Sequence, residues 1–80
     1  MSTDLLEYLA RRLVDDPDAV QIERAEREDG VVVLRLSVAP DDVGKVIGRQ
    51  GRIARALRTL VRASAARSRE RVTVEIVERD

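Results

Sequence analysis

The chain has no cysteine, no histidine, no tryptophan and no phenylalanine among its 80 residues, and Tyr8 is its one aromatic side chain. Without cysteine there is neither a disulfide framework nor a thiolate metal site, and without histidine the commonest general base and metal ligand are missing. Ser2, Ser37, Ser64 and Ser68 have no imidazole to activate them, so an enzyme is not expected. Asp15, Asp16 and Asp18 gather where a helix should end, and capping and turn formation account for them. Neither a metal nor a cofactor is expected. No apolar run approaches the roughly 20 residues of a membrane span, and MSTDLLEYLARRL breaks its apolar pattern with acids and arginines. A soluble, cytoplasmic protein with no membrane association is the expectation. A chain of this length makes a single domain, residues 1–80, and buries only about 60 to 65% of its unfolded surface, which favours work done on the surface over a deep cavity.

Charge of one sign is also missing locally. The 15 basic and 15 acidic residues cancel, but residues 1–42 hold 5 basic and 11 acidic side chains, residues 43–69 hold 8 and 0, and residues 70–80 hold 2 and 4. Charges that merely neutralise one another on a helix are more often interspersed as i,i+4 pairs. The central segment therefore points to an anionic partner.

Leu5, Leu6, Leu9, Leu13 and Val14 recur at intervals of three and four, which predicts a helix with Ser2, Thr3 or Asp4 as its cap and Asp15-Asp16-Pro17 as its stop. Val20 and Ile22 begin an alternation that becomes polar toward Asp29-Gly30, a hairpin signal. Residues 31–38 read as the clearest strand. Val32, Leu34, Leu36 and Val38 should face the core, with Val31, Val33, Arg35 and Ser37 on a partly dry face. Pro40 suits the first position of a short helix running to about Ile47, and Asp41 and Asp42 suit its first turn. Gly48 should stop that helix and Gly51 allow a second unusual backbone conformation before a longer helix from Arg52 to about Arg67. Val72, Val74 and Ile76 predict a closing strand. The order is α-β-β-α-α-β, an α+β fold.

On the long helix, Ile53, Leu57, Leu60, Val61 and Ser64 should point inward, while Arg52, Arg55, Arg58 and Arg62 share another face. Arginine at a helix start is unfavourable to the dipole by roughly 0.3 to 1 kcal/mol per charge. A phosphate would reverse that balance, meeting main-chain N–H groups, the dipole and the arginines together. Glycine at 48 and 51 would let a sugar-phosphate chain approach the backbone closely.

Val46-Ile47-Gly48-Arg49-Gln50-Gly51-Arg52-Ile53 resembles the VIGxxGxxI signature of the KH domain, whose GxxG loop clamps the backbone of about four single-stranded nucleotides. The element order resembles the type II, bacterial form, with a three-stranded sheet packed against helices. APDDVGKVIGRQGRIARALRTLVRA together with LLEYLARRLVDDPDAV is similar to the KhpA family of small single-KH bacterial proteins. The resemblance implies a cytoplasmic RNA-binding protein regarded as an RNA chaperone. It also implies a homodimer and a KhpB-like larger KH-domain partner, the pair being linked to cell elongation and envelope homeostasis. By position, Gly48, Arg49, Gln50 and Gly51 would contact the RNA backbone, with Ile47 and Ile53 supporting the groove and Lys45, Arg52 and Arg55 beside them.

With one aromatic there is no platform for base stacking, so affinity should come from phosphate contacts, an aliphatic groove and hydrogen bonds. Four arginines on four phosphates would give a slope of log K against log salt of about −3, at roughly −0.7 per contact. The alternative is a protein-interaction or dimerisation module with an accessory nucleic-acid role, using Val31 and Val33, an apolar edge of the long helix, or the acidic hairpin.

Overall fold

The computed structural model describes residues 2–77; Met1 and residues 78–80 of the expected domain lie outside the described residues. The first helix, α1 (Ser2–Leu13), buries Leu6 and Ala10, and Val14 just beyond it, at a spacing of four; Leu9 and Leu13 are half-buried beside them. The helix begins at Ser2, so Ser2, Thr3 and Asp4 occupy the first turn rather than the cap position. Asp4 there still favours the dipole.

Strands β1 (Gln21–Glu26) and β2 (Val32–Ser37) pair antiparallel, with Ile22 opposite Leu36 and Ala25 opposite Val33. Their turn works as the Asp-Gly pair predicts. The Asp29 carboxylate accepts the Val31 N–H at 3.0 Å, and Gly30 sits at φ 85°. The last strand, β3 (Val72–Val77), runs parallel to β2, so the sheet order is β1-β2-β3 with the most buried strand in the middle. A parallel neighbour needs a crossover. It is supplied by α2 (Val43–Ile47) and α3 (Arg52–Arg67), which completes the α-β-β-α-α-β order.

Val32, Leu34, Leu36 and Val38 are buried as expected, but so is Val33, at 7% exposure, so it offers little to a partner. On the uncovered sheet face Arg35 lies between Glu23 (3.2 Å) and Glu75 (3.9 Å). The larger correction concerns α3. Its buried stripe is Ala54, Leu57, Val61 and Ala65, whereas Leu60 is 49% exposed. Small alanines let the helix lie close to the sheet, and hydropathy weighting ranks the bulkier Ile53 and Leu60 above them. The helix ends in a Schellman motif: Glu70 N–H donates to the Ala65 carbonyl at 3.0 Å and Arg69 N–H to Ala66 at 3.1 Å, with Arg69 at φ 58° where glycine is usual.

The short α2 is fixed at its start by the most buried charge in the described chain. Asp42, 2% exposed, does not cap α2; its carboxylate accepts the Asp16 N–H at 3.0 Å and pairs with Lys45 at 3.0 Å. Lys45 also pairs with Asp15. The Asp16 N–H, aided by Lys45 and opposed by desolvation, holds the Asp42 carboxyl below the usual aspartate range, and Asp15 followed by Asp42 holds Lys45 above the usual lysine range. The native state therefore binds fewer protons at Asp42 than the unfolded chain does. That stabilisation is complete above the ordinary aspartate range and is lost as pH falls through the lower native value. The Lys45 contribution is complete below the ordinary lysine range and is lost as pH rises through the raised one. Asp42→Asn should therefore lower the urea midpoint at neutral pH, and the two proteins should converge in strong acid. A midpoint difference that stays constant down to the acid limb would exclude this role for the charge.

Candidate nucleic-acid interface

Between α2 and α3 the chain reverses within four residues. Gly48 N–H closes α2 on the Gly44 carbonyl at 2.9 Å, and Gly48 itself lies at φ 75°, ψ 174°, a region open essentially to glycine alone. A Cβ there would sit 2.6 Å from Ile53 Cγ1 and 2.9 Å from Ile53 Cβ. The first turn of α3 thus closes directly over the Gly48 backbone, and Ile47 and Ile53 are half-buried on either side. Gly51, at φ 74°, differs: a Cβ there would meet nothing within 4 Å, so its outer side is open. Gln50 between them is left-handed as well, at φ 57°, ψ 24°.

The expected cations do not all serve the same surface. Arg49 and Arg52 are exposed beside the loop. Arg55 is exposed as well, but its Nη2 donates to the Gln50 carbonyl at 2.8 Å. Arg58 turns to the sheet, its Nε donating to the Val74 carbonyl at 3.1 Å on the outer strand. Lys45 is held by Asp15 and Asp42 at the far end of α2. Elsewhere the pattern is uniform: Arg11 pairs with Glu7, Arg24 with Glu70, Arg27 with Asp29 and Arg35 with Glu23, while Arg12 lies over the Tyr8 ring and Arg71 donates to the Asp29 carbonyl. Among the described residues, Arg49, Arg52, Arg62, Arg67 and Arg69 are the cations without such a partner, and all five lie between the loop and the turn that follows α3. Their positive field is not neutralised locally.

Sequence reasoning missed the engagement of two arginines here. Carbonyl partners five and sixteen residues away leave no periodic trace, so Arg55 and Arg58 read like their neighbours. The apolar edge of the long helix takes shape on the other flank of α3: Ile53, Ala56, Leu57 and Leu60 line a groove of about 380 Å³ with Leu9 and Leu13 of α1, rimmed by Arg12 and Arg52. Among the described residues no group of acids is arranged to hold a metal ion.

A glycine-hinged GRQG corner joining two helices over a three-stranded mixed sheet, in this element order, defines a KH domain. The family model described as KhpA/KhpB, KH domain matches residues 3–76, and the chain belongs to that family. Membership makes it a binding domain rather than an enzyme. Curated relatives named RNA-binding protein KhpA include one from Clostridium acetobutylicum, 52% identical over 91% of this chain and 96% of its own length. Another, from Treponema pallidum, is 51% identical over 98% and 96%. A crystal structure of Aquifex aeolicus Era bound to GDP.AlF4- shares the fold, with a TM-score of 0.58 at 15% identity over 96% of this chain and 31% of that one.

The two glycines should respond unequally to substitution. Gly48→Ala adds the Ile53 collision to a backbone that already disfavours a side chain, and should cost at least about 2 kcal/mol. Gly51→Ala meets only the left-handed backbone penalty of about 1 kcal/mol. Urea unfolding of both, with Gly48→Ala repeated in an Ile53→Ala background, should show partial relief of the first loss; equal losses with no relief would rule out the packing account.

Proposed function

We propose that this chain is a single-stranded RNA-binding module whose GRQG corner receives the sugar-phosphate backbone. The observation that carries the reading is the placement of Arg49 and Arg52, exposed and without partners among the described residues, beside a loop whose Gly51 faces open space. Gly48, Arg49, Gln50, Gly51 and Arg52 form the contact, and Ile47 and Ile53 support it. Lys45, tied into its ion pairs, acts through the placement of α2. The relatives' printed name supports RNA as the partner. Family membership extends the reading to one cytoplasmic domain spanning residues 1–80 that acts as an RNA chaperone with a KhpB-like partner, in a complex affecting cell elongation and envelope homeostasis. No helix among the described residues is long and apolar enough to cross a membrane.

Engagement of Arg55 and Arg58 with carbonyls changes the expected electrostatics. Arg49, Arg52 and Arg62 remain as phosphate contacts, and three contacts give a salt slope of about −2 rather than −3. Anisotropy titrations with an unstructured oligoribonucleotide should return that slope. Arg49→Asp combined with Gln50→Asp should abolish binding while leaving the melting curve in place; retained RNA binding by the doubly substituted protein would overturn the loop assignment.

A second reading concerns self-association and is compatible with the first. Leu60, 49% exposed, lines the apolar groove between α1 and α3, whose rim residue Arg12 lies over the exposed Tyr8 ring, and a second copy covering the groove would form the homodimer. Leu60→Glu, at a position already half in water, should give a monomer by light scattering with its fold intact. An unchanged mass in solution would remove this face as the interface.

A further inference from the structure

We propose that Arg55 is a positioning residue that holds the GRQG loop in its receiving shape, rather than one of the groups that contact phosphate. The inference deepens the RNA-binding reading above and rests on it. It begins with the peptide unit joining Gln50 to Gly51, which is tied at both ends. The Gly51 N–H donates to the Gly48 carbonyl at 3.1 Å, and the Gln50 carbonyl accepts from Arg55 Nη2 at 2.8 Å. Gln50 is a non-glycine residue in the left-handed region, followed by Gly51 in the same region. Such a conformation is unfavourable for a residue with a Cβ and persists where its surroundings hold it. Arg55 supplies that hold from the first turn of α3, a rigid element already fixed by Ala54 and Leu57 in the core.

The same bond has an electrostatic consequence. A carbonyl oxygen near the mouth of an anion site repels phosphate, and a guanidinium drawn onto it covers that partial negative charge. Arg49 and Arg52, without partners among the described residues, remain to meet the phosphate itself. The loop shape and the loop charge are therefore set by different arginines.

Two readouts separate a positioning role from a contact role. In the RNA-free protein, Arg55→Gln removes the carbonyl's partner, so hydrogen exchange at the Gly51 amide should accelerate. A side chain whose only task is to touch RNA would leave that rate unchanged. With an unstructured oligoribonucleotide as the probe, Arg55→Gln should weaken binding about five- to tenfold, the equivalent of one hydrogen bond, with the salt slope unchanged. Arg52→Gln should lower the slope by about 0.7. Arg55→Lys, which keeps the charge but lacks the planar fork, should behave like Arg55→Gln in exchange. A slope that falls by about 0.7 in Arg55→Gln with normal Gly51 exchange, or an unaltered affinity, overturns the proposal. If the wild-type protein shows no salt-sensitive association with RNA, the RNA reading fails, and the exchange measurement still decides whether Arg55 holds the loop.

Discussion

The arrangement depends on the missing Cβ of Gly48. Because nothing projects from that residue, Ile53 can close over the main chain, and the start of α3 is fixed relative to the end of α2 by direct packing of a side chain on backbone. A five-residue helix containing a glycine has little stability of its own. α2 is ordered because it is held at both ends, by the buried Asp42 carboxylate at its start and by the Gly48–Ile53 contact at its finish. The GRQG loop inherits its position from those two restraints.

The charge pattern has a simple structural meaning. Residues 1–42 contain more acids than bases, and their arginines meet local partners: Glu7, Asp29 and Glu23 each hold one, while Tyr8 receives Arg12. Ion pairs also cross between segments: Arg24 to Glu70, Arg35 to Glu75, and Lys45 to Asp15 and Asp42. The remaining basic side chains of residues 43–69 find only carbonyl oxygens or solvent among the described residues. A carbonyl satisfies a guanidinium's hydrogen bonding but carries no net charge to cancel it. Seven of that segment's eight positive charges, all but Lys45, are thus expressed as field outside the protein, where an anionic polymer would experience it.

What could be read in the sequence was what depends on local periodicity and on residues with special backbone freedom. The alternation of Val32, Leu34, Leu36 and Val38 faces the core, Asp29-Gly30 makes the turn, and Gly48 and Gly51 lie at positive φ. What could not be read depends on partners distant in the chain. Asp42 looked like an ordinary first-turn acid because the Asp16 N–H is 26 residues away. Arg55 and Arg58 looked like free cations because a main-chain carbonyl has no signature in sequence. The inward face of α3 was misplaced for a third reason: close approach to a sheet rewards Ala54 and Ala65, and a hydropathy pattern weights the bulkier Leu60 instead.

That misplacement explains how one helix can serve two surfaces. A buried stripe of Ala54, Leu57, Val61 and Ala65 is narrow, so both flanks of α3 remain accessible. One flank carries Arg55, Arg58 and Arg62 toward the loop and β3; the other carries Ile53, Ala56 and Leu60 toward α1. Had Leu60 been the centre of the buried face, the helix would have rolled toward α1, the apolar groove would have closed, and Arg58 would have moved away from the Val74 carbonyl. With the small-residue stripe inward, the arginine flank and the apolar flank are separate along most of α3 and share side chains only at its start, at Arg52 and Ile53. Arg52 and Ile53 are where the two surfaces meet, since Arg52 stands beside the loop and rims the groove, and Ile53 packs over Gly48 and lines the groove. A ligand at the loop and an occupant of the groove would therefore sense one another through those two side chains and the main chain Ile53 covers.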